Sequence, residues 1–189
     1  MSTYRTPGII LKKIDWGEAG QLFSIYTRDF GKLSLSGRGT KKIKSKLNGQ
    51  LQYFAVIDLV AAKGKNFDQL TGALILNNFK NIKSDFCKIA MASFGLELFE
   101  RLTRANQVEH EMFDLLLKYL EVIEKMTRIT KKNWLVVRQK FIIKLMTLSG
   151  YAPSADDMST GKKLEIFLKN YLDQPLKTEN LLKALSLTN

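Results

Sequence analysis

The period of the apolar residues changes once along this chain, and that change constrains the fold more than any other feature. Up to about residue 80, short apolar stretches are separated by turn formers; from about Ile82 onward, apolar residues recur every three to four positions. Alternation belongs to half-buried strands, and the longer period to amphipathic helices. Ile9-Ile10-Leu11 leads into a glycine-bracketed turn at residues 15–20. Residues 22–26 form a second apolar stretch, Asp29-Phe30-Gly31-Lys32 a second turn, and Leu33-Ser34-Leu35-Ser36 an alternating third strand. Residues 53–62 are strongly β-prone, and Lys63-Gly64-Lys65-Asn66 is a hairpin turn before residues 67–76. Five strands with turn chemistry between them predict a small barrel.

The helical half follows a boundary near residues 77–81. Phe86, Ile89, Ala90, Phe94, Leu98 and Leu102 share one helical face, as do Met112, Phe113, Leu116, Leu117, Leu120 and Ile123, and then Trp134, Val137, Phe141, Leu145 and Leu148. Gly150 and Pro153 stop the third of these helices, glycine just past the end and proline beyond it. Residues 162–171 and 178–187 are two shorter amphipathic segments. The expected architecture is α+β: a five-stranded barrel over residues 1–79 and an all-α domain over residues 80–189.

Charge separates the halves further. The chain carries a formal net charge of +12. Residues 1–80 hold 13 basic and 5 acidic side chains, residues 81–189 hold 17 and 13, so the barrel half is the anion-binding half. An excess of this size points to nucleic acid or acidic protein, with an anionic membrane surface a weaker third. Its densest stretch runs from Arg38 to Lys46, five cations in nine residues without an acid: Arg38, Lys41, Lys42, Lys44 and Lys46. A glycine-containing basic loop suits a phosphate backbone, because each cation that neutralises a phosphate releases condensed counterions. Lys12, Lys13, Arg28, Lys63 and Lys65 extend the surface. A five-stranded barrel with basic loops and aromatic residues is how oligonucleotide-binding folds hold single strands. Tyr26, Phe30, Tyr53 and Phe67 are the rings available for stacking, with Trp16 beside the first turn; packing in the core or at its rim is the competing role for each.

Catalytic and metal chemistry find little support. One cysteine and one histidine cannot supply four zinc ligands or an internal disulfide. His110, between Glu109 and Glu111, reads as a surface turn, Cys87 as a buried structural thiol, and Asp156-Asp157 as a solvated turn or helix cap. Phosphate-binding glycine loops, dinucleotide fingerprints and nucleophile elbows have no match. The expectation is a non-enzyme without cofactor. With no apolar signal core and no spanning segment, it is expected in the cytoplasm, without membrane contact. On the third helix, Trp134, Arg138, Lys140, Phe141 and Lys144 combine cations with apolar groups, the mix that receives an acidic, apolar-ended peptide; bundle core is the alternative.

Several segments, in order, resemble the RecO recombination mediators of bacterial DNA repair: Asp15-Trp16-Gly17-Glu18-Ala19, Thr27-Arg28-Asp29-Phe30-Gly31-Lys32, Arg38-Gly39 with its lysine run, and 47–54. The helix from Phe141-Ile142-Ile143-Lys144-Leu145 to Gly150-Tyr151-Ala152-Pro153 and the segment Leu172-Asp173-Gln174-Pro175-Leu176-Lys177-Thr178 continue the resemblance. It implies an oligonucleotide-binding (OB) barrel on a helical domain. It implies binding of single- and double-stranded DNA, strand annealing, and cooperation with RecR to load RecA onto DNA coated by single-strand-binding protein, in the nucleoid. It places DNA on Arg38, Lys41, Lys42, Lys44 and Lys46, and the acidic tail of single-strand-binding protein near Arg138, Lys140 and Phe141. The chain departs from the family in three places. Residues 155–163 lack the four-cysteine zinc module of many members, Tyr53 stands where proline is usual, and Ile142 where glutamate is common. The competing function is a non-catalytic adaptor whose basic barrel binds acidic protein.

Overall fold

The computed structural model describes residues 2–42, 45, 47–105 and 107–187. Two compact units account for them: residues 1–79 with 104–113, and residues 80–103 with 114–189. The first is a closed barrel of strand order β1-β2-β3-β5-β4, with β1 Thr3–Trp16, β2 Gly20–Thr27, β3 Gly31–Gly37, β4 Ala55–Ala62 and β5 Asp68–Asn78. The second is helical: α1 Lys80–Ser84, α2 Phe86–Leu102, α3 His110–Lys125 from residue 114 onward, α4 Lys131–Leu148, α5 Gly161–Lys169 and α6 Lys177–Ala184.

Closure depends on β1, which serves two neighbours. Its first half pairs with β4, from Thr3 opposite Ala62 to Ile9 opposite Val56. Its second half pairs with β2, from Gly8 opposite Thr27 to Trp16 opposite Gly20, with a register shift between Ile10 and Lys12. A bulge of this kind bends a strand and increases its twist, so one strand passes round the barrel corner. The last seam is short and parallel: Leu35 and Ser36 of β3 against Asp68 and Gln69 of β5. Inward-facing Ile10, Phe23, Ile25, Leu35, Ile57, Leu59 and Leu70 fill the interior, and Leu51 joins them from outside the strands.

Both ends of β1 differ from the sequence expectation. β1 begins at Thr3, six residues before the apolar run, and carries Pro7 within it. Proline lacks an N–H but keeps its carbonyl, and that carbonyl accepts the Arg28 N–H at 2.9 Å. The first turn is correspondingly shorter, since Asp15 and Trp16 end β1 and Gly20 begins β2.

In the helical unit, Asp85, Thr130 and Thr160 cap α2, α4 and α5, each side chain accepting a backbone N–H of the first turn. Gly95 of α2 lies under Tyr119; a Cβ there would come within 2.1 Å of the ring. That close approach lets the Tyr119 hydroxyl reach the Met91 carbonyl at 2.5 Å while its ring stacks on Phe141 at 4.0 Å between centroids. α6 has no side-chain cap of its own. Glu97 of α2 supplies one, accepting the Lys177 and Thr178 N–H groups at 2.9 and 3.0 Å and the Thr178 hydroxyl at 2.8 Å.

Candidate nucleic-acid interface

Three loops meet at one end of the barrel: the β1–β2 turn, the segment after β3 and the β4–β5 turn. The first two are joined by the Lys41 N–H donating to the Ala19 carbonyl at 3.1 Å and by the Lys41 ammonium on Asp15 at 2.9 Å. That hydrogen bond, helped by Gln21, holds the exposed Asp15 carboxyl below its ordinary range. The third loop is organised by Asp68, which accepts the Tyr4 hydroxyl at 2.7 Å, the Lys63 ammonium at 3.0 Å and the Gly64 N–H at 3.1 Å. Partial burial pushes Asp68 up, but these donors outweigh it and hold the group ionised below the usual aspartate range. Burial, reinforced by Asp68, raises the Tyr4 phenol, so it stays a donor. The turn is also tight: a Cβ on Gly64 would lie 2.0 Å from the Phe67 carbonyl oxygen.

These loops enclose an open cleft of about 570 Å³. Its lining includes Arg38, Lys63 and Lys65, the amides of Gln21, Asn66 and Gln69, and the rings of Trp16 and Phe67, with no acidic side chain. Arg38, Lys42 and Lys65 have no acidic partner among the described residues, whereas Lys41 and Lys63 are compensated by Asp15 and Asp68. At neutral pH the cleft therefore presents positive charge and ring faces, a surface suited to phosphates and bases.

The other expected cations lie elsewhere or outside what is described. Lys12 is exposed on β1, in alternation with the exposed Ile14 and Trp16. Arg28 belongs to the β2–β3 turn, at the other end of β2 from Gly20, with its guanidinium over the Phe113 ring at 5.6 Å. Lys44 and Lys46 fall outside the described residues. Of the four candidate stacking rings, Tyr26 is buried, and burial with the nearby Glu109 pushes its phenol up to about 12. Tyr53 is half-buried, lies under the Lys13 ammonium at 4.6 Å and accepts the Lys13 N–H. Phe30 packs on Tyr4 at 4.7 Å. Phe67 alone of the four lines the cleft, together with Trp16.

The helical unit carries a second concavity of about 390 Å³ between α3 and α4, lined by apolar Leu115, Val122, Val136 and Phe141 and by Lys118, Lys140 and Lys144. Lys140, Phe141 and Lys144 are thus brought together. Trp134 and Arg138 are not: both are buried and turn away into the bundle. Trp134 packs edge-on against Phe94 at 5.6 Å. Arg138 bonds Glu165, lies 3.7 Å from Glu179 and sits over Phe94 at 4.9 Å, so it is a bundle tie. α3 supplies half of the groove, including Lys118. Sequence reading on α4 alone missed that half, because the partner helix is a separate stretch of chain.

Other polar groups are ordinary. His110 is exposed at the start of α3. Cys87 is half-buried, not buried as expected, in the first turn of α2 beside the exposed Phe86. Asp157 accepts the Ser154 N–H and hydroxyl as a turn cap. Among the described residues, no group of three or more His, Cys, Asp or Glu is placed to hold a metal ion, and no helix is long and apolar enough to cross a membrane.

Comparison with known proteins agrees with this architecture. Residues 1–79 match the family described as recombination protein O N terminal, and residues 83–171 match recombination protein O C terminal. The chain belongs to the RecO family. The barrel is accordingly the OB-fold domain of a RecO protein. Similar curated relatives are each named DNA repair protein RecO. That of Rubrobacter xylanophilus is 30% identical over 156 residues, covering 82% of this chain and 61% of the relative. That of Dehalococcoides mccartyi is 30% identical over 168 residues, 89% and 64%, and that of Trichodesmium erythraeum 29% over 167 residues, 86% and 58%. The matches thus span about 60% of the relatives' length.

Proposed function

We propose that this RecO-family chain is a non-catalytic DNA repair and recombination mediator that binds single- and double-stranded DNA through the barrel and anneals complementary strands. The observation that carries this reading is the loop end of the barrel, where Arg38 and Lys65 line a cleft free of acids and, with Lys42 of the segment after β3, have no acidic partner among the described residues. Annealing requires that two polyanions approach, so their phosphates must be neutralised while the bases stay accessible. Mobile lysine and arginine ends do this without a fixed catalytic geometry. The expected contacts at Lys41, Lys44, Lys46, Lys12, Lys63 and Arg28 remain part of the proposal, with Lys41 and Lys63 weakened by their carboxylates.

In this division of labour the barrel holds DNA and the helical unit recruits proteins. The groove between α3 and α4 has an apolar floor and a lysine rim, which fits an acidic peptide with an apolar end, here the tail of single-strand-binding protein. RecR is the proposed partner in placing RecA on the coated strand, within the cytoplasm at the nucleoid. Relatives named for DNA repair support the role.

The test is annealing of two labelled complementary oligonucleotides, followed by energy transfer, beside anisotropy titrations across a salt series. Replacing Arg38, Lys42 and Lys65 with Ala together is expected to slow annealing and to flatten the single-strand slope of log affinity against log salt by about 2, at roughly 0.7 per lost phosphate contact. Unchanged annealing and an unchanged slope would remove DNA from this end of the barrel.

A further inference from the structure

Neutralising phosphates makes no use of the two exposed rings at the mouth of the cleft. Trp16, the last residue of β1, is 59% exposed, and Phe67, just before β5, is 38% exposed. Their centroids lie 6.0 Å apart with the planes at 76°. An edge-on pair covers an edge of one ring and leaves other faces open to a third ring. The backbone under both rings is fixed, at Trp16 by strand pairing with Gly20 and at Phe67 by the Asp68-anchored turn, whose glycine admits no Cβ. Beside them lie Arg38 and Lys65, without acidic partners among the described residues, and Gln21, Asn66 and Gln69. The cleft volume of about 570 Å³ is in the range of small-molecule sites, roughly 300–1,000 Å³.

We propose that Trp16 and Phe67 form a stacking site for one base of single-stranded DNA, held out of its stack, with Arg38 and Lys65 on the flanking phosphates. This rests on the DNA reading above and adds strand selectivity to it. Phosphate charge is present on single strands and duplexes alike, so the lysine and arginine contacts bind both. In a duplex both faces of each base are covered by its neighbours, so the rings gain nothing there. On a single strand a base can leave its neighbours and stack on protein rings instead. A base that then pairs with its complement must restack in the new duplex, which withdraws it from the rings and releases the product of annealing.

Trp16 is its own reporter, because the other tryptophan, Trp134, is fully buried. In the full chain, thymidine oligonucleotides should quench Trp16 fluorescence, and the matching duplex should not. Trp16→Ala and Phe67→Ala should each lower single-strand affinity about tenfold, within the range for loss of one base stack. Duplex affinity should stay within about twofold and the salt slope should be unchanged, since no cation is lost. Trp16→Phe, which retains a ring, should keep most of the affinity. If wild type binds both DNA forms with a salt-dependent slope but the two alanine variants leave the single-strand preference intact, stacking is refuted and the charge reading survives. If wild type binds neither form, both fall together.

Discussion

Glu97 should be among the most stabilising single side chains of the helical unit, and its removal has a magnitude that follows from its contacts. Its carboxylate accepts two backbone N–H groups and a hydroxyl at the start of α6, and it receives the Arg101 guanidinium at 2.6 Å, which also donates to the Gln174 carbonyl at 2.5 Å. Loss of an N-cap costs about 1 kcal/mol, and hydrogen bonds to a charged group contribute about 1.5–3 kcal/mol. These terms overlap, and water partly replaces the lost acceptor, so Glu97→Ala should cost about 2–3 kcal/mol. Urea unfolding read by Trp134 fluorescence, in a Trp16→Phe background, follows the helical unit alone; the midpoint should fall by roughly 1–2 M. A Thr178→Val cycle should show coupling of about 0.5–1 kcal/mol. A loss below about 0.5 kcal/mol, or full additivity, would show that the remote cap contributes nothing. Burial would raise this carboxyl, but the Thr178 and Lys177 N–H groups, the Thr178 hydroxyl and Arg101 hold it below the usual range. Its folded pKa is thus lower than its unfolded one, near 4.3. The stabilisation is complete at neutral pH and is lost as pH falls through the folded value, so wild type and Glu97→Ala should converge in acid.

Two further outcomes are expected. Gly64→Ala forces the β4–β5 turn to move away from the Phe67 carbonyl, costing about 1–3 kcal/mol of barrel stability and lowering single-strand affinity severalfold, as read by circular dichroism melting and anisotropy; native stability with wild-type affinity would contradict the described turn. Arg138→Ala leaves Glu165 and Glu179 without their shared cation and should cost about 3 kcal/mol in the same urea titration. An unchanged midpoint would show that Arg138 does not tie the bundle together.

Much of this was legible in the sequence wherever the signal was local. Alternation in Leu33-Ser34-Leu35-Ser36 reflects a pleat in which successive side chains face opposite sides, and β3 forms there. The glycine turn at residues 63–66 and the stop at Gly150, which adopts a φ of +83°, are decided by backbone sterics within a few residues. α1 escaped notice because five residues give no period to detect. Residues 104–113 follow α2 in the chain yet group with the barrel unit, through Ala105 bridging Lys32 of β3, a pairing that local composition does not record.

The candidate site divides in the same way. Composition and local spacing determined that the chain would form a basic, glycine-punctuated barrel followed by helices, because turn chemistry, period and net charge are properties of neighbouring residues. Only the tertiary structure decided which cations count. Asp15 lies 26 positions from Lys41 and neutralises it, while Arg38 and Lys65, 27 positions apart, share one cleft without an acid. Only the tertiary structure turned Trp134 and Arg138 into the bundle and left Lys140 on a groove completed by α3. Charge compensation, ring exposure and groove formation depend on distances through space, and those are set when the barrel closes and the helices pack.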